Sequence, residues 1–181
     1  MSNSVMIDIE TLGTKPDCVV LTLGAVKFSP YNMIEPGPGL YMRLDVDEQT
    51  ARGRSVDEGT IAWWGKQKPD VREEALGEGP DRVKMETMIA DLNRFLVGVK
   101  NIWAQGPLLD IVVLENIYRQ CERPVPWWYY QVRDSRTVFA MHGDPRVRGK
   151  EGLHNALEDC VSQAVAVQTV YKRLGITDAK P

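Results

Sequence analysis

Asp8 and Glu10 stand two residues apart in Met6-Ile7-Asp8-Ile9-Glu10-Thr11, inside an otherwise apolar run. Side chains at i and i+2 of a strand share one face, so both carboxylates project the same way, roughly 7 Å apart at the backbone. Two like charges on a half-buried strand are costly unless something positive lies between them. A bound cation is the natural compensation, and hard oxygen donors favour Mg²⁺ or Mn²⁺. On an exposed edge strand the same two acids would simply be solvated, and the pair alone leaves that reading open.

Two further positions bear on it. Asp110 follows the Gly106-Pro107 turn and opens a helical stretch, where an acid is also expected merely because it complements the helix dipole. His154 and Asp159 flank the start of the last helical stretch. Five residues of α-helix rotate by about 140° net, so two helical positions at that spacing would point apart. They converge only if His154 lies just before the helix and Asp159 inside it. Asn155 is a suitable N-cap for such a start, with Gly149 and Gly152 upstream. Taken singly, His154 could be a loop imidazole and Asp159 a solvated helix position.

The elements that would carry these residues follow from the pattern. Val5 to Ile9, Val19 to Phe28 and Leu40 to Leu44 read as three successive strands forming an antiparallel meander. Helices are expected over Asp57 to Gln67, Arg82 to Val97 and Leu108 to Cys121, with a short strand at Asn101 to Gln105. Trp128 to Arg133 reads as a last strand, Ser135 to Ala140 as a short helix, and Asn155 to Leu174 as the final helix. Its apolar stripe is Ala156, Cys160, Ala164, Val167, Tyr171 and Leu174. Strands first, then helices alternating with strands, indicate an α/β mixed sheet flanked by helices.

Length and composition set the bounds. The chain has 181 residues, 43% of them hydrophobic, which suits a single domain spanning residues 1–181. The formal net charge of -3 argues against a protein that coats nucleic acid by charge alone, though not against an enzyme whose carboxylates are offset by metal. Cys18, Cys121 and Cys160 are odd in number and widely spaced, as expected of reduced thiols in a cytoplasmic protein. No leader and no membrane span is expected.

The joint pattern, D-x-E, then a distant Asp in strand–turn–helix context, then H-x-x-x-x-D, resembles the DEDDh 3′–5′ exonucleases of the ribonuclease H-like superfamily. The resemblance is greatest to the exodeoxyribonuclease A and ribonuclease AS branch. It rests on residues 6–14 (Met-Ile-Asp-Ile-Glu-Thr-Leu-Gly-Thr), on Trp103 to Asp110, on His154 to Asp159, on Arg133 to Thr137, and on Trp63-Trp64 followed by Gln67. It spans about residues 5 to 172. There are two departures: Pro107-Leu108-Leu109 is more apolar than the usual lead into the third acid, and Asp45 to Gly79 is not matched.

The resemblance implies that Asp8, Glu10, Asp110 and Asp159 hold two Mg²⁺ or Mn²⁺ ions and that His154 is the general base, an imidazole being able to take up a proton near neutral pH. Glu10 would also order the terminal 3′-OH. The substrate would be the 3′ end of single-stranded DNA or RNA, with a slight lean to DNA, and the product a nucleoside 5′-monophosphate. Thr11 and Leu12 would grip the last bases, Thr11 by a backbone contact and Leu12 as an apolar wedge. One or two of Trp63, Trp64, Trp103, Trp127, Trp128, Tyr129 and Tyr130 are expected to stack on bases. The basic loop Arg146-Val147-Arg148-Gly149-Lys150 is expected either to meet phosphates or to be merely solvated. The resemblance places the protein in a bacterial or phage-infected cell and leaves a homodimer open. Two other readings are a nucleic-acid-binding module with an inactive nuclease site and a metal-assisted hydrolase of free nucleotides or capped ends.

Overall fold

The computed structural model describes residues 3–146 and 154–178. Its centre is a six-stranded sheet. Strands β1 (Ser4–Thr11), β2 (Val20–Phe28) and β3 (Gly39–Leu44) form the expected antiparallel meander. On the other side of β1 the sheet continues in parallel through β5 (Asn101–Ala104) and β6 (Val132–Asp134), and β4 (Arg82–Val83) adds in parallel to β3. The order is β4-β3-β2-β1-β5-β6, the mixed α/β sheet of a ribonuclease H-like fold.

The helices are α1 (Val46–Ala51), α2 (Glu58–Trp64), α3 (Pro69–Leu76), α4 (Met85–Phe95), α5 (Pro107–Gln120), α6 (Ser135–His142) and α7 (Ala156–Leu174). The alternation of β1 sorts them onto the two faces. Val5, Ile7 and Ile9 point into a core with residues of α4 and α5, among them Met88, Leu92, Ile111 and Leu114. Met6 points the other way, into a cluster with Val26, Phe28, Trp103 and the α7 residues Cys160, Ala164, Val167 and Val170. Asp8 and Glu10 share the parity of Met6 and therefore face α7. Among the described residues no helix is long and apolar enough to cross a membrane.

Several boundaries differ from the sequence reading. Arg82 is not helical; its guanidinium donates to the carbonyls of Leu44, Ala75 and Gly77, and Asp45 N–H donates to Val83, so residues 82–83 are drawn out as β4 before α4 begins. The strand expected over Trp128 to Arg133 is a 3-10 turn (Tyr129–Gln131) followed by the strand proper, because Gln131 Oε1 accepts from Trp128 N–H and curls the chain. Helices α1 and α3 were not anticipated. The stripe of α7 also differs: Gln163 and Gln168 are buried within it, while Leu174 is exposed.

The segment from Asp45 to Gly79 has a structural role. The side chain of Gln49 both donates to and accepts from the backbone of Val20. Buried Arg54 donates to the carbonyls of Pro16 and Cys18 and to the side chains of Asn116 and Gln120. This clamps the β1–β2 connection to α5.

Candidate active site

Four acids and a histidine, drawn from three separate stretches of the chain, meet at the carboxyl end of β1. Asp8 and Glu10 project from β1 towards α7, opposite Gly24 and Thr22 of β2. A register shift between Glu10 and Thr11 bends the strand just beyond the pair. Gly24 lets α7 approach: a Cβ there would stand 2.2 Å from the carbonyl carbon of Ala156, so any side chain would lift the first turn of the helix off the sheet.

Asp110 arrives from the far side of β1. The left-handed Gly106 (φ 102°) turns the chain from β5 into α5, and Asp110 lies in the first turn of that helix. Its Oδ1 accepts from Ile9 N–H at 3.3 Å, which places the carboxylate beside the backbone between Asp8 and Glu10. Asp159 comes from the first turn of α7. Asn155 caps that helix, its side chain accepting from Leu157 and Glu158 N–H. His154 lies just outside with a left-handed φ of 39°, which is the arrangement needed for His154 and Asp159 to converge. Nδ1 of His154 stands 3.9 Å from Oε1 of Glu10, and ligand atoms from Glu10, His154 and Asp159 all lie within 4.8 Å of one another.

The electrostatics follow from that crowding. Burial, then repulsion by Asp8, Asp159 and Asp110, pushes Glu10 up to about 9. Burial and then Asp110 raise Asp8 well above the usual carboxylate range. Asp110 rises to about 7, chiefly through burial, and Asp159 is raised by burial as well. Arg146 offsets Asp8 and Asp159 in part, and Arg136 offsets Asp110. Carboxylates held this close, with their charge only partly balanced by nearby cations of the chain, are a donor set that fits a hard divalent cation.

Other expected contacts fall differently. Leu12 is 7% exposed and packs with Val19, Leu21, Trp64, Val71 and Ala75. Its side chain belongs to the core and is not free to act as a wedge, because α2 and α3 close over it. The carbonyl of Thr11 accepts from the Trp64 indole, and its hydroxyl donates to Gly13. Of the aromatic residues, Trp64, Trp103 and Trp127 are buried, while Trp128, Tyr129 and Tyr130 are exposed at the other end of β6. Exposed Trp63 meets the His154 ring edge-on with centroids 4.9 Å apart, and buried Trp64 does so at 6.2 Å. Arg146 pairs with Asp144 and lies over Phe139. Val147, Arg148, Gly149 and Lys150 lie outside the described residues.

Two residues gain a role that the sequence reading does not give them. Gln163 donates to Asp8 Oδ1 at 2.9 Å from one turn beyond Asp159, a spacing of four that places both on one helix face. Arg136, at the start of α6, donates to the carbonyl of Gln105 beside the Asp110 turn.

A family model described as the 3′-5′ exoribonuclease Rv2179c-like domain matches residues 3–171. The chain belongs to that family of 3′–5′ exonucleases, within the DEDDh group. It is 26% identical to the exodeoxyribonuclease of Enterobacteria phage T4, covering 96% of this chain and 92% of the phage protein. Among solved structures, it is similar in fold to E. coli exonuclease I in complex with a 5cy-dA13 oligonucleotide: TM-score 0.65, 16% identity, 96% of this chain. The chain spans 41% of that enzyme's length. The nuclease domain of 3′hExo, a DEDDh family member bound to rAMP, matches with TM-score 0.51 at 16% identity, over 93% of this chain and 92% of that one.

Proposed function

We propose that this protein is a divalent-metal-dependent exonuclease that releases nucleoside 5′-monophosphates from the 3′ end of single-stranded nucleic acid, working as one catalytic domain in the cytoplasm. The observation that carries the reading is the gathering of Asp8, Glu10, Asp110 and Asp159 at one end of β1, with ligand atoms of Glu10, Asp159 and His154 within 4.8 Å of one another. Those four acids would hold Mg²⁺ or Mn²⁺. When bound, the metal lowers the pKa of a water and stabilises the leaving 3′ oxygen.

The chain's own groups account for the rest. In this reading His154 takes the proton as the water oxygen bonds to phosphorus, supported by its position outside the helix with Nδ1 3.9 Å from Oε1 of Glu10. The bond from phosphorus to the 3′ oxygen then breaks, the 3′ oxygen takes a proton from solvent water to give a free 3′-OH on the shortened strand, and the phosphate stays on the released nucleotide. Trp63 and Trp64 pack against the imidazole and limit its rotation.

DNA is the preferred strand in this reading, supported by the likeness to the phage exodeoxyribonuclease over nearly its whole length. The exoribonuclease description of the family favours the second reading, RNA. Incubating the protein with end-labelled DNA and RNA of one sequence, with free or blocked 3′ ends, in Mg²⁺ or EDTA, tests both. The expected result is stepwise shortening of free-ended DNA in Mg²⁺ only. Equal, negligible cleavage with and without metal would leave a binding module, and turnover of blocked ends or free nucleotides alone would reassign the substrate.

A further inference from the structure

We infer that Gln163 is a positioning residue for the metal site: its amide fixes the rotation of the Asp8 carboxylate so that one oxygen is held and the other is presented to the cation. The inference rests on the proposed metal site.

Gln163 sits on the sheet-facing side of α7 and is only 4% exposed. Its Nε2 donates to Asp8 Oδ1 at 2.9 Å, across the contact between helix and sheet. Its Oε1 is buried with no hydrogen-bond partner among the described residues. Around it α7 is lined by Cys160, Ala164 and Val167, so an apolar side chain of similar size would pack there without leaving a polar atom stranded. A position chosen for stability alone would not hold a half-satisfied amide.

The chemistry of the site explains the choice. An ionised carboxylate needs donors, and of the charged groups acting on Asp8, Asp110 and Asp159 are acids while Arg146 offsets them only in part. A lysine or arginine at this point would compete with the cation for Asp8, and a glutamate would add another acceptor. An uncharged amide donates to one oxygen without neutralising the carboxylate. Asp159 lies one turn earlier on the same face of α7, so the Gln163 bond links Asp8 on β1 to the helix that carries Asp159. Gly24 sets the depth of that helix, and with it the length of the bond to Asp8.

The test is Mn²⁺ affinity, measured by titration calorimetry on the substrate-free protein, together with the melting temperature in EDTA. The Gln163→Met variant keeps the volume and removes the donor. It should melt in EDTA within a few degrees of the wild type, yet bind Mn²⁺ about 10- to 100-fold more weakly, the usual cost of losing an outer-shell partner. The Gln163→Asn variant keeps the amide but is one methylene too short, and should show the same loss; it also serves if the Gln163→Met variant fails to fold. Unchanged Mn²⁺ affinity in a folded variant, with or without a lower melting temperature, would assign Gln163 a purely structural role and overturn the inference. If the wild type itself binds no Mn²⁺, the metal-site reading fails first and takes this inference with it.

Discussion

Nδ1 of His154 faces Oε1 of Glu10 at 3.9 Å, although nearly the whole chain separates them. That distance is too long for a hydrogen bond and leaves the imidazole beside the acid cluster without tying it down. His154→Ala should therefore lower kcat by about 10²- to 10⁴-fold, the range for loss of a general base. The fold should survive, since the residue lies outside α7. His154→Asn separates chemistry from backbone, because Asn tolerates positive φ better than Ala. Single-turnover cleavage and a thermal melt on both variants check this; activity near wild type in either would remove His154 from catalysis.

The raised acids give the metal-free protein an inverted pH response. Glu10 has a folded pKa of about 9 against 4.5 unfolded, and Asp110 about 7 against 3.8. Between those limits the native state binds more protons than the unfolded state, so stability falls as pH rises. The contribution is present in full below about pH 4 and is lost progressively through pH 7 for Asp110 and pH 9 for Glu10. Melting temperature in EDTA should thus decline from pH 5 to pH 9, and saturating Mg²⁺ should flatten the decline by binding the ionised acids. A melting temperature that climbs across this range in EDTA would contradict the described burial of the acids.

Asp110→Asn keeps an oxygen that can accept from Ile9 N–H while discarding the charge. Stability in EDTA should hold or increase at neutral pH, because a buried repulsion is relieved. Turnover should fall by at least about 100-fold, the upper end of what loss of an outer-shell partner costs. Asp8→Ala should likewise abolish turnover and leave circular dichroism unchanged. Full activity in either variant would take that residue out of the metal site.

Gly24→Ala should destabilise the fold by about 1–3 kcal/mol or more, since the new methyl would overlap the backbone of Ala156. Urea unfolding measures the loss. Activity should fall further than stability alone explains, because Asp159 and His154 move with the start of α7. An unchanged unfolding midpoint would mean that the helix tolerates a shift of this size.

Residue order is enough to give the strand that carries Asp8 and Glu10, their common face, the meander that follows, and the cap at Asn155 that leaves His154 outside the helix. Those are local matters: alternation, turn chemistry and capping act within a few residues. It also held all five site residues in recognisable spacings. Which neighbours the strand and helix faces meet depends instead on packing between segments far apart in the chain. Leu12 is an apolar residue two positions beyond Glu10, and no local pattern says that Trp64, Val71 and Ala75 of α2 and α3 bury it. The extended conformation of Arg82 depends on carbonyls from three other segments. Gln163 reads as a break in an apolar stripe until α7 is laid against β1 at Gly24, because a hydrogen bond across 155 positions has no local signature.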